Sequence, residues 1–396
     1  MSPQIYEPPI DPLPTKEPPS RFAFLDVPQP DEAFAVNAEY LSDPHPEKVN
    51  LGIGAYRDDS GSPWPLPVVK EAEAQLRQAE SLERHEYLAI QGDEAFLSHA
   101  RDLVFGFSSS KQHCLEQKAT KDRIASIQTV SGAGANRTAA EFLTRYVRPP
   151  PRRVWLPEPT WVNHHTIWGM VGIERKTYPY YDFASKTFDY DSTAAILESQ
   201  SEKDDIIVLH ACAHNPTGAD PSKEQWCQLA ALIQRKGLIP VFDLAYQGFA
   251  SGSPDKDAFA IRYFLSYTPQ IEFCVAQSFS KNFGLYGQRA GALHLVTSSS
   301  STEGPSPAQI GLANLSHLGR GQYSMAPRAG SEIVRTVLSS PELRERWFED
   351  LQAMSGRIKS MRRALYDELV ELGTPGNWEY ILSQVWVLQL CILGTS

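Results

Sequence analysis

Several clusters of polar residues follow short apolar runs, and one of them contains a lysine in an unusual setting. Lys281 lies among small and aromatic residues after the apolar run Phe273–Ala276. Lysines normally lie on solvated faces, and an amine in a partly desolvated site has a suppressed charge and can act as a nucleophile. Ser278 and Arg289 bracket Lys281, and hydroxyls together with a guanidinium suit a phosphate group. A lysine on a surface loop is the alternative interpretation.

A second cluster begins with Asp243, which ends the apolar run Leu238–Phe242. An unpaired carboxylate at the end of a buried strand would be costly, so it needs a cationic partner or several hydrogen-bond donors. A protonated ring nitrogen of a cofactor would meet that need. A structural aspartate that caps the next turn is the alternative.

Two further clusters could bind a ligand through backbone and amide groups. The segment Thr129–Ala135 is rich in glycine and leads into a helical pattern, so its N–H groups suit an anion. An ordinary glycine-rich turn is the alternative. In His210–Gly218, a turn signal at Asn215 could present the amide to a ligand oxygen. Its histidines fit core positions better than metal ligands, because no carboxylate or cysteine lies at matching helical spacing.

Together these clusters fit one kind of ligand, an aldehyde cofactor that carries a phosphate and a basic ring nitrogen. Pyridoxal 5′-phosphate (PLP) has these groups. Enzymes that use it need a lysine to bind the aldehyde and often an acidic partner for the ring nitrogen.

The elements that would position the clusters alternate between strand and helix. Short apolar runs predict buried strands, at Ser126–Val130, Arg153–Leu156, Ile206–His210, Leu238–Phe242, Phe273–Ala276 and Ala290–Val296. Helical patterns lie between them, at Ala135–Tyr146 and Pro221–Gln234. This alternation predicts an α/β domain around a mostly parallel sheet, with ligands beyond the carboxyl ends of the strands.

Composition excludes several classes of protein. The chain has 396 residues, which predicts two domains or one large one with lobes, and a net charge of −10, which disfavours nucleic acid and anionic membranes as partners. Its five cysteines form no CxxC pair, so we expect no disulfide framework, no metal site and a cytoplasmic location. The proline-rich stretch 1–21 is expected to be a disordered tail without a targeting signal, and no run is long enough to span a membrane.

The motifs resemble those of class I aminotransferases of the aspartate aminotransferase subfamily. The resemblance runs from about Phe22 to about Trp378 and is carried by six segments in order: Val49–Arg57, His85–Gly92, Pro159–His164, His210–Gly218, Asp243–Gly252 and Ala276–Arg289. It implies PLP-dependent transferase fold type I, in which a large α/β domain (65–353) binds the cofactor. Residues 22–64 and 354–396 would form a smaller α/β domain.

The resemblance also implies a role for individual residues. Lys281 would carry the cofactor and move a proton, Asp243 would hold the ring nitrogen protonated with His164 behind it, and Tyr246 would tune the cofactor together with Asn215. The remaining cofactor contacts would come from Ser131, Gly132, Ala133, Trp161, Ser278, Arg289 and, across a homodimer, Tyr87. The substrate would contact Gly54, Trp161, Asn215 and Arg320.

Three departures from the family pattern are visible. Ala133 replaces the usual threonine, which removes one hydroxyl contact to phosphate. Arg320 stands where the family places the arginine for the substrate side-chain carboxylate, but Met325 replaces an asparagine nearby and Gly319 and Gly321 flank Arg320, so we expect a looser position. The segment after Gln384 stops following the family, and we expect an incomplete small domain without the arginine for the substrate α-carboxylate.

The sequence therefore predicts an aminotransferase that moves the amino group of an L-amino acid, aspartate or glutamate, to a 2-oxo acid by a ping-pong mechanism. One alternative is an aminotransferase for another amino acid, for example an aromatic one, in a specialised pathway. The other is a PLP-binding protein with impaired turnover.

Overall fold

The computed structural model describes residues 20–27, 32–48, 54–79, 85–107, 120–267, 270–298 and 304–385. The chain forms two units, residues 1–53 and residues 54–396. In the first unit, helix α1 (Glu32–Ser42) is followed by a turn in which the Lys48 ammonium donates to the Tyr40 carbonyl at 2.8 Å. Most of the predicted tail lies outside the described residues. The predicted division into 22–64, 65–353 and 354–396 stays a prediction.

The second unit is built on a seven-stranded sheet in the order β1-β9-β8-β7-β6-β2-β3. Its strands are β1 (Ile124–Val130), β2 (Arg153–Glu158), β3 (Glu174–Pro179), β6 (Ile206–His210), β7 (Ile239–Leu244), β8 (Phe273–Ser278) and β9 (Ala290–Val296). A small hairpin is formed by β4 (Tyr181–Asp182) and β5 (Thr187–Phe188). Strand β9 runs antiparallel to both of its neighbours and the other pairs are parallel, which confirms the predicted α/β architecture with a mostly parallel sheet.

Helices cover both faces of this sheet. They are α2 (Pro67–Gln78), α3 (Glu94–Phe105), α4 (Ser131–Tyr146), α5 (Asn163–Met170), α6 (Tyr190–Gln200), α7 (Lys223–Lys236), α8 (Pro254–Asp257), α9 (Phe259–Tyr267), α10 (Pro307–Gln322), α11 (Arg328–Ser339), α12 (Pro341–Glu371) and α13 (Tyr380–Ser383). The alternation of side chains along a strand sends Val241 into the core beneath α4, α5 and α10, and Phe242 into the larger core on the other face. None of the described helices is long and apolar enough to cross a membrane.

All six predicted strands are present, with ends shifted by no more than a few residues. The prediction omitted β3 because Glu174–Pro179 is largely polar and exposed, as an edge strand can be. Helix α4 begins at Ser131 and not at Ala135, since the glycine-rich segment forms the first helical turn itself. Helix α7 begins at Lys223, close to its predicted start at Pro221, because Ser222 caps it and forms a capping box with Gln225.

A buried polar chain crosses the sheet from β1 to β8. The His294 ring on β9 lies between the Ser126 hydroxyl, 2.8 Å from Nδ1, and the Gln277 side-chain oxygen, 3.0 Å from Nε2. All three side chains are buried. Burial, with a smaller contribution from the Arg101 charge, lowers the pKa of His294 to about 3. His294 is therefore neutral in the folded protein across the physiological range.

This neutral histidine predicts a pH dependence of stability. The pKa of His294 is about 3 in the folded state and near 6.5 when unfolded. Its contribution to the free energy of unfolding is therefore fully present above pH 6.5 and is lost as pH falls toward 3. The His294→Gln variant should be less stable at pH 7 by roughly 1–3 kcal/mol, because a buried hydrogen-bond network is changed. The difference in free energy of unfolding between the two proteins should narrow as pH falls from about 6.5 to about 4. The wild type loses stability as unfolded His294 takes up a proton, whereas glutamine does not titrate. Denaturant unfolding of both proteins at several pH values measures this, and a constant deficit would contradict it.

Candidate active site

The Lys281 amine lies in a pocket at the carboxyl edge of the sheet. Lys281 lies shortly after β8, which ends at Ser278, and its Nζ is 5.4 Å from the centroid of the Tyr246 ring. The same pocket is lined by Asp243 and Arg289. Burial lowers the pKa of Lys281, the Asp243 carboxylate opposes this and Arg289 adds to it, and the pKa stays below its ordinary value. The amine therefore loses its proton more readily than a surface lysine does.

Asp243 sits near the end of β7 and is oriented by a chain of hydrogen bonds. His164, which is fully buried at the start of α5, donates from Nε2 to Asp243 Oδ2 at 3.1 Å, and its Nδ1 lies 2.9 Å from the Thr160 hydroxyl. Burial raises the pKa of Asp243, but the hydrogen bond and charge of His164, with the charges of His210 and Lys281, outweigh burial and leave the pKa below its ordinary value. The pocket therefore has an ionised carboxylate at its base.

His164, His210 and Asp243 place possible metal-ligand atoms within 4.8 Å of one another. These groups already contact each other: Thr160 Oγ1 lies 3.4 Å from His210 Nε2 as well as near His164, and His164 bonds Asp243. Burial, followed by the neighbouring histidines, lowers the pKa of His210 well below its ordinary value. We interpret the group as a support that fixes the carboxylate.

A cradle of hydroxyls and backbone N–H groups lies at the start of α4. The Ser131 hydroxyl is 3.0 Å from that of Ser280 and 3.4 Å from that of Ser278. A Cβ atom on Gly132 would lie 2.9 Å from the Ser278 Cβ, so only glycine leaves this space open. The first N–H groups of a helix have no partner within the helix. With Arg289 on the pocket wall, the cradle is suited to an anion.

Both ends of this cradle carry unusual backbone geometry. Ser131 has φ 61° and Arg289 has φ 55°, values in the left-handed region that side chains other than glycine rarely adopt. The Ser131 N–H donates to the Arg289 carbonyl at 3.1 Å, and Arg289 Nη1 donates to the Tyr286 carbonyl at 2.8 Å. These bonds hold the helix start and the arginine beside each other at the edge of the sheet.

Tyr246 and Asn215 also line the pocket. Burial, followed by the Asp243 charge, raises the pKa of Tyr246, while a side-chain hydrogen bond with Asn215 lowers it by less. The phenol is therefore protonated and can donate. Trp161 lines the pocket as well, and its ring is nearly perpendicular to the His164 ring at a centroid distance of 5.2 Å.

The structure brings most of the predicted site residues into this one pocket: Lys281, Asp243, Tyr246, Ser131, Gly132, Ala133, Trp161, Asn215, Ser278 and Arg289. Gly54, Tyr87 and Arg320 do not line it, and all of them are exposed in the single chain. Sequence reasoning did not select Ser280, His210 and Cys212, which also line the pocket. The spacing Ser278-x-Ser280 before the lysine was a signal for the first of these.

Arg320 differs from its expected setting. It lies in the last turn of α10, which continues through Gln322, and its guanidinium donates to the Ser324 hydroxyl. A Cβ on Gly319 would lie 3.2 Å from Ile127 Cδ1, so this glycine permits close packing. Gly319 is therefore packed against β1, and the expectation of a looser position for Arg320 stays a prediction. Gly321 has open space around it.

Comparison with known proteins decides the family. Residues 46–390 match the family model described as aminotransferase class I and II. The chain belongs to this family.

Class I aminotransferases use PLP as their cofactor, and individual members act on different substrates. An L-tyrosine:2-oxoglutarate aminotransferase from Aspergillus ustus is 51% identical over 90% of this chain, which spans 66% of that relative's length. The solved aspartate aminotransferase from Saccharomyces cerevisiae cytoplasm is 40% identical with a TM-score of 0.85, and the match covers 92% of this chain and 86% of that one. An aromatic-amino-acid aminotransferase from Burkholderia pseudomallei, covalently bound to pyridoxal phosphate, is 34% identical with a TM-score of 0.83, covering 92% and 86%.

The pocket of this aminotransferase fits PLP on its own chemistry. The space above Gly132, which a Cβ atom would fill, lies between hydroxyls at a helix start and suits the phosphate. The ionised carboxylate of Asp243 suits a protonated ring nitrogen, and the amine of Lys281, with its lowered pKa, suits the aldehyde. The missing hydroxyl at Ala133 leaves its backbone N–H in place.

The cradle gives a testable prediction. Adding a methyl group in Gly132→Ala should push Ser278 away and weaken PLP binding by about tenfold, as expected for disturbed packing and a lost hydrogen bond. Titration of the cofactor-free protein with PLP, followed by absorbance, measures the dissociation constant. The matched control is Gly134→Ala, whose methyl group would face Val130, 3.3 Å from its Cβ. Equal effects of the two substitutions would argue against an anion site at Gly132.

Proposed function

We propose that this chain transfers the amino group of an L-amino acid, aspartate or glutamate, to a 2-oxo acid with PLP as cofactor. The observation that carries the proposal is the convergence of Lys281, Asp243 and the anion cradle on one buried pocket. Each of these features has an ordinary structural explanation by itself. A lysine amine, a buried carboxylate and a phosphate-sized cradle within one pocket are what PLP chemistry requires together.

Residues around the pocket would hold the cofactor at three points. Ser131, Gly132, Ala133, Ser278 and Arg289 would bind the phosphate, and Asp243 would bind the ring nitrogen. Trp161 would lie against the ring, and Asn215 with Tyr246 would donate to its phenolic oxygen. Tyr87 would reach the phosphate in the partner subunit.

When bound, PLP supplies an aldehyde that reacts with amines and a ring that withdraws electrons. The protein's part begins with Lys281, whose lowered pKa makes its amine available both as the cofactor-binding group and as a base at the substrate α-carbon. The carboxylate of Asp243, kept ionised by His164, would keep the ring nitrogen protonated. The Tyr246 phenol, protonated because its pKa is raised, would supply a hydrogen bond at the other side of the ring.

The choice of substrate is the finer part of the proposal. Arg320 provides a guanidinium that could pair with the side-chain carboxylate of aspartate or glutamate. Gly54 would approach the substrate by its backbone. The similarity to an L-tyrosine aminotransferase favours an aromatic amino acid as the second candidate, and the similarity to a cytoplasmic aspartate aminotransferase favours the first.

The proposal includes a homodimer and a cytoplasmic location. Tyr87, which is 82% exposed, and Arg320 lie outside the pocket of their own chain, and both would serve a neighbouring subunit. Within the described residues, Cys212, Cys227 and Cys274 form no disulfide, which fits a reducing compartment.

Covalent trapping tests the role of Lys281. Borohydride reduction of the PLP-loaded chain should fix the cofactor to the peptide that contains Lys281, because only this amine is placed in the pocket among the described residues. Mass spectrometry of the digest measures the label. The Lys281→Ala variant should remain unlabelled, and Lys236→Ala, which changes a surface lysine at the end of α7, should be labelled as the wild type is. A label on another lysine would contradict the assignment.

Addition of aspartate to the PLP-loaded chain separates an enzyme from a PLP-binding protein with impaired turnover. A change in the cofactor absorbance band that requires Lys281 supports transamination. If the cofactor absorbance band stays the same with every amino acid added, the proposed transamination is refuted.

Replacement of Arg320 tests the substrate. In Arg320→Leu, the KM for aspartate should rise roughly 100-fold, since about 3 kcal/mol of charge-assisted hydrogen bonding is lost, while tyrosine turnover should change little. Steady-state kinetics with both amino acids measure this. Arg363→Leu, an exposed arginine on α12 with a weak 3.9 Å contact to Asp367, is the matched control. Unchanged aspartate kinetics in Arg320→Leu would favour the aromatic alternative.

A further inference from the structure

The segment that carries Arg320, residues 319–325, is here called the Arg320 turn. It begins in the last turn of α10 and ends at Met325. Arg320 is exposed, and its guanidinium donates to the Ser324 hydroxyl. The backbone of Ser324 has φ 67°, in the left-handed region. Gly321, which follows Arg320, has open space around it and adds backbone freedom. The reach of Arg320 therefore depends on what holds the turn.

Gln322 holds the turn through both ends of its amide. Its Nε2 donates to Glu141 Oε2 at 2.6 Å, and its Oε1 accepts from the Thr138 hydroxyl at 3.0 Å. Both partners lie one turn apart on α4, and both are buried. The amide of Gln322 thus spans from the Arg320 turn to a rigid helix.

Glu141 is a fixed point and not a mobile surface carboxylate. Its Oε1 accepts from Arg137 Nη2 at 2.5 Å, and Arg145 Nη2 lies 3.8 Å away. Burial raises the pKa of Glu141, but the hydrogen bonds from Arg137 and Gln322 and the two arginine charges leave it below its ordinary value. The carboxylate stays ionised, so its bond with Gln322 is charge-assisted and stronger than a neutral one.

The end of the Arg320 turn and the start of α11 both contact the segment around Tyr87. The Leu88 N–H contacts Met325 Sδ at 3.1 Å, and Arg328 Nη2 donates to the Glu86 carbonyl at 3.1 Å. On the inner side, the Tyr323 hydroxyl lies 3.3 Å from the Gln128 carbonyl on β1. The chain neighbours of Tyr87 thus contact Met325 and Arg328, and Gln322 links the Arg320 turn to α4.

We propose that Gln322 is a positioning residue for substrate specificity, which holds Arg320 at the reach that favours dicarboxylic over aromatic substrates. The inference rests on the proposed role of Arg320. A guanidinium on a turn that can shift pays an ordering cost when it binds a carboxylate, whereas an anchored one does not. An aromatic substrate makes no ion pair with Arg320, so it should not respond to loss of the anchor.

The test is Gln322→Met, which keeps the length of the side chain and removes the amide. The KM for aspartate and for 2-oxoglutarate should rise about tenfold, with kcat nearly unchanged and the kinetics of tyrosine and phenylpyruvate unaffected. The melting temperature of the PLP-loaded protein with added maleate, a non-reacting dicarboxylate, gives a second readout. The stabilisation by maleate should be smaller in Gln322→Met than in the wild type.

Two further variants separate positioning from a loss of stability. Gln309→Met removes the capping glutamine at the other end of the same helix, so it weakens α10 without touching the Arg320 turn. It should leave the preference between aspartate and tyrosine unchanged. The exchange Glu141→Gln with Gln322→Glu places a carboxylate and an amide opposite each other again, and it should recover most of the preference for dicarboxylic substrates.

Arg320→Leu, measured beside these variants, separates failure of the positioning role of Gln322 from failure of the proposed role of Arg320. If it weakens aspartate and maleate binding but Gln322→Met does not, the positioning role is wrong and the proposed function stands. An equal rise of KM for aspartate and tyrosine in Gln322→Met would also overturn it, because a merely structural role acts on all substrates. If neither variant affects dicarboxylate binding, the proposed role of Arg320 fails and the inference fails with it.

Discussion

The candidate site depends on an ionised carboxylate kept at the base of a buried pocket. Asp243 is 8% exposed, and in such surroundings a carboxylate without partners would take up a proton. The His164 ring prevents this by donating a hydrogen bond, and Thr160 fixes the orientation of the ring from the other side. A cationic ligand above Asp243 is therefore favoured before any other contact is made.

Strand direction then decides which groups surround that carboxylate. The parallel strands β1, β2, β6, β7 and β8 all end at the same edge of the sheet, and the segments after them bring Ser131, Trp161, Asn215, Tyr246 and Lys281 to the pocket. Strand β9 runs the other way, so its beginning lies at that edge and places Arg289 there. One antiparallel strand in a parallel sheet thus supplies the guanidinium for the anion cradle.

Much of this could be read from the sequence because the evidence is local. Apolar runs of a few residues identified the strands of the central sheet, and the polar residues just after them identified the site. The edge strand β3 was not predicted, because its largely polar residues form no apolar run. Ser131 and Gly132 were recognised as anion-binding residues. The left-handed backbone of Ser131 and its bond to the Arg289 carbonyl were not predicted, because Arg289 is far along the chain.

The sequence by itself determined the chemistry: a lysine, an aspartate, an asparagine and a glycine-rich helix start, each following a predicted strand. Only the tertiary structure decided their electrostatics. Burial lowers the pKa of Lys281, whereas the pKa of Asp243 is lowered, against the effect of burial, by the hydrogen bond and charge of His164, which the fold brings beside it. The same holds for the Arg320 turn. Two flanking glycines predicted a loose segment, and no sequence pattern indicated the packing of Gly319 on Ile127 or the bonds from Gln322 to α4. Contacts between residues distant in sequence leave no local pattern, and for that reason they appear only in the folded chain.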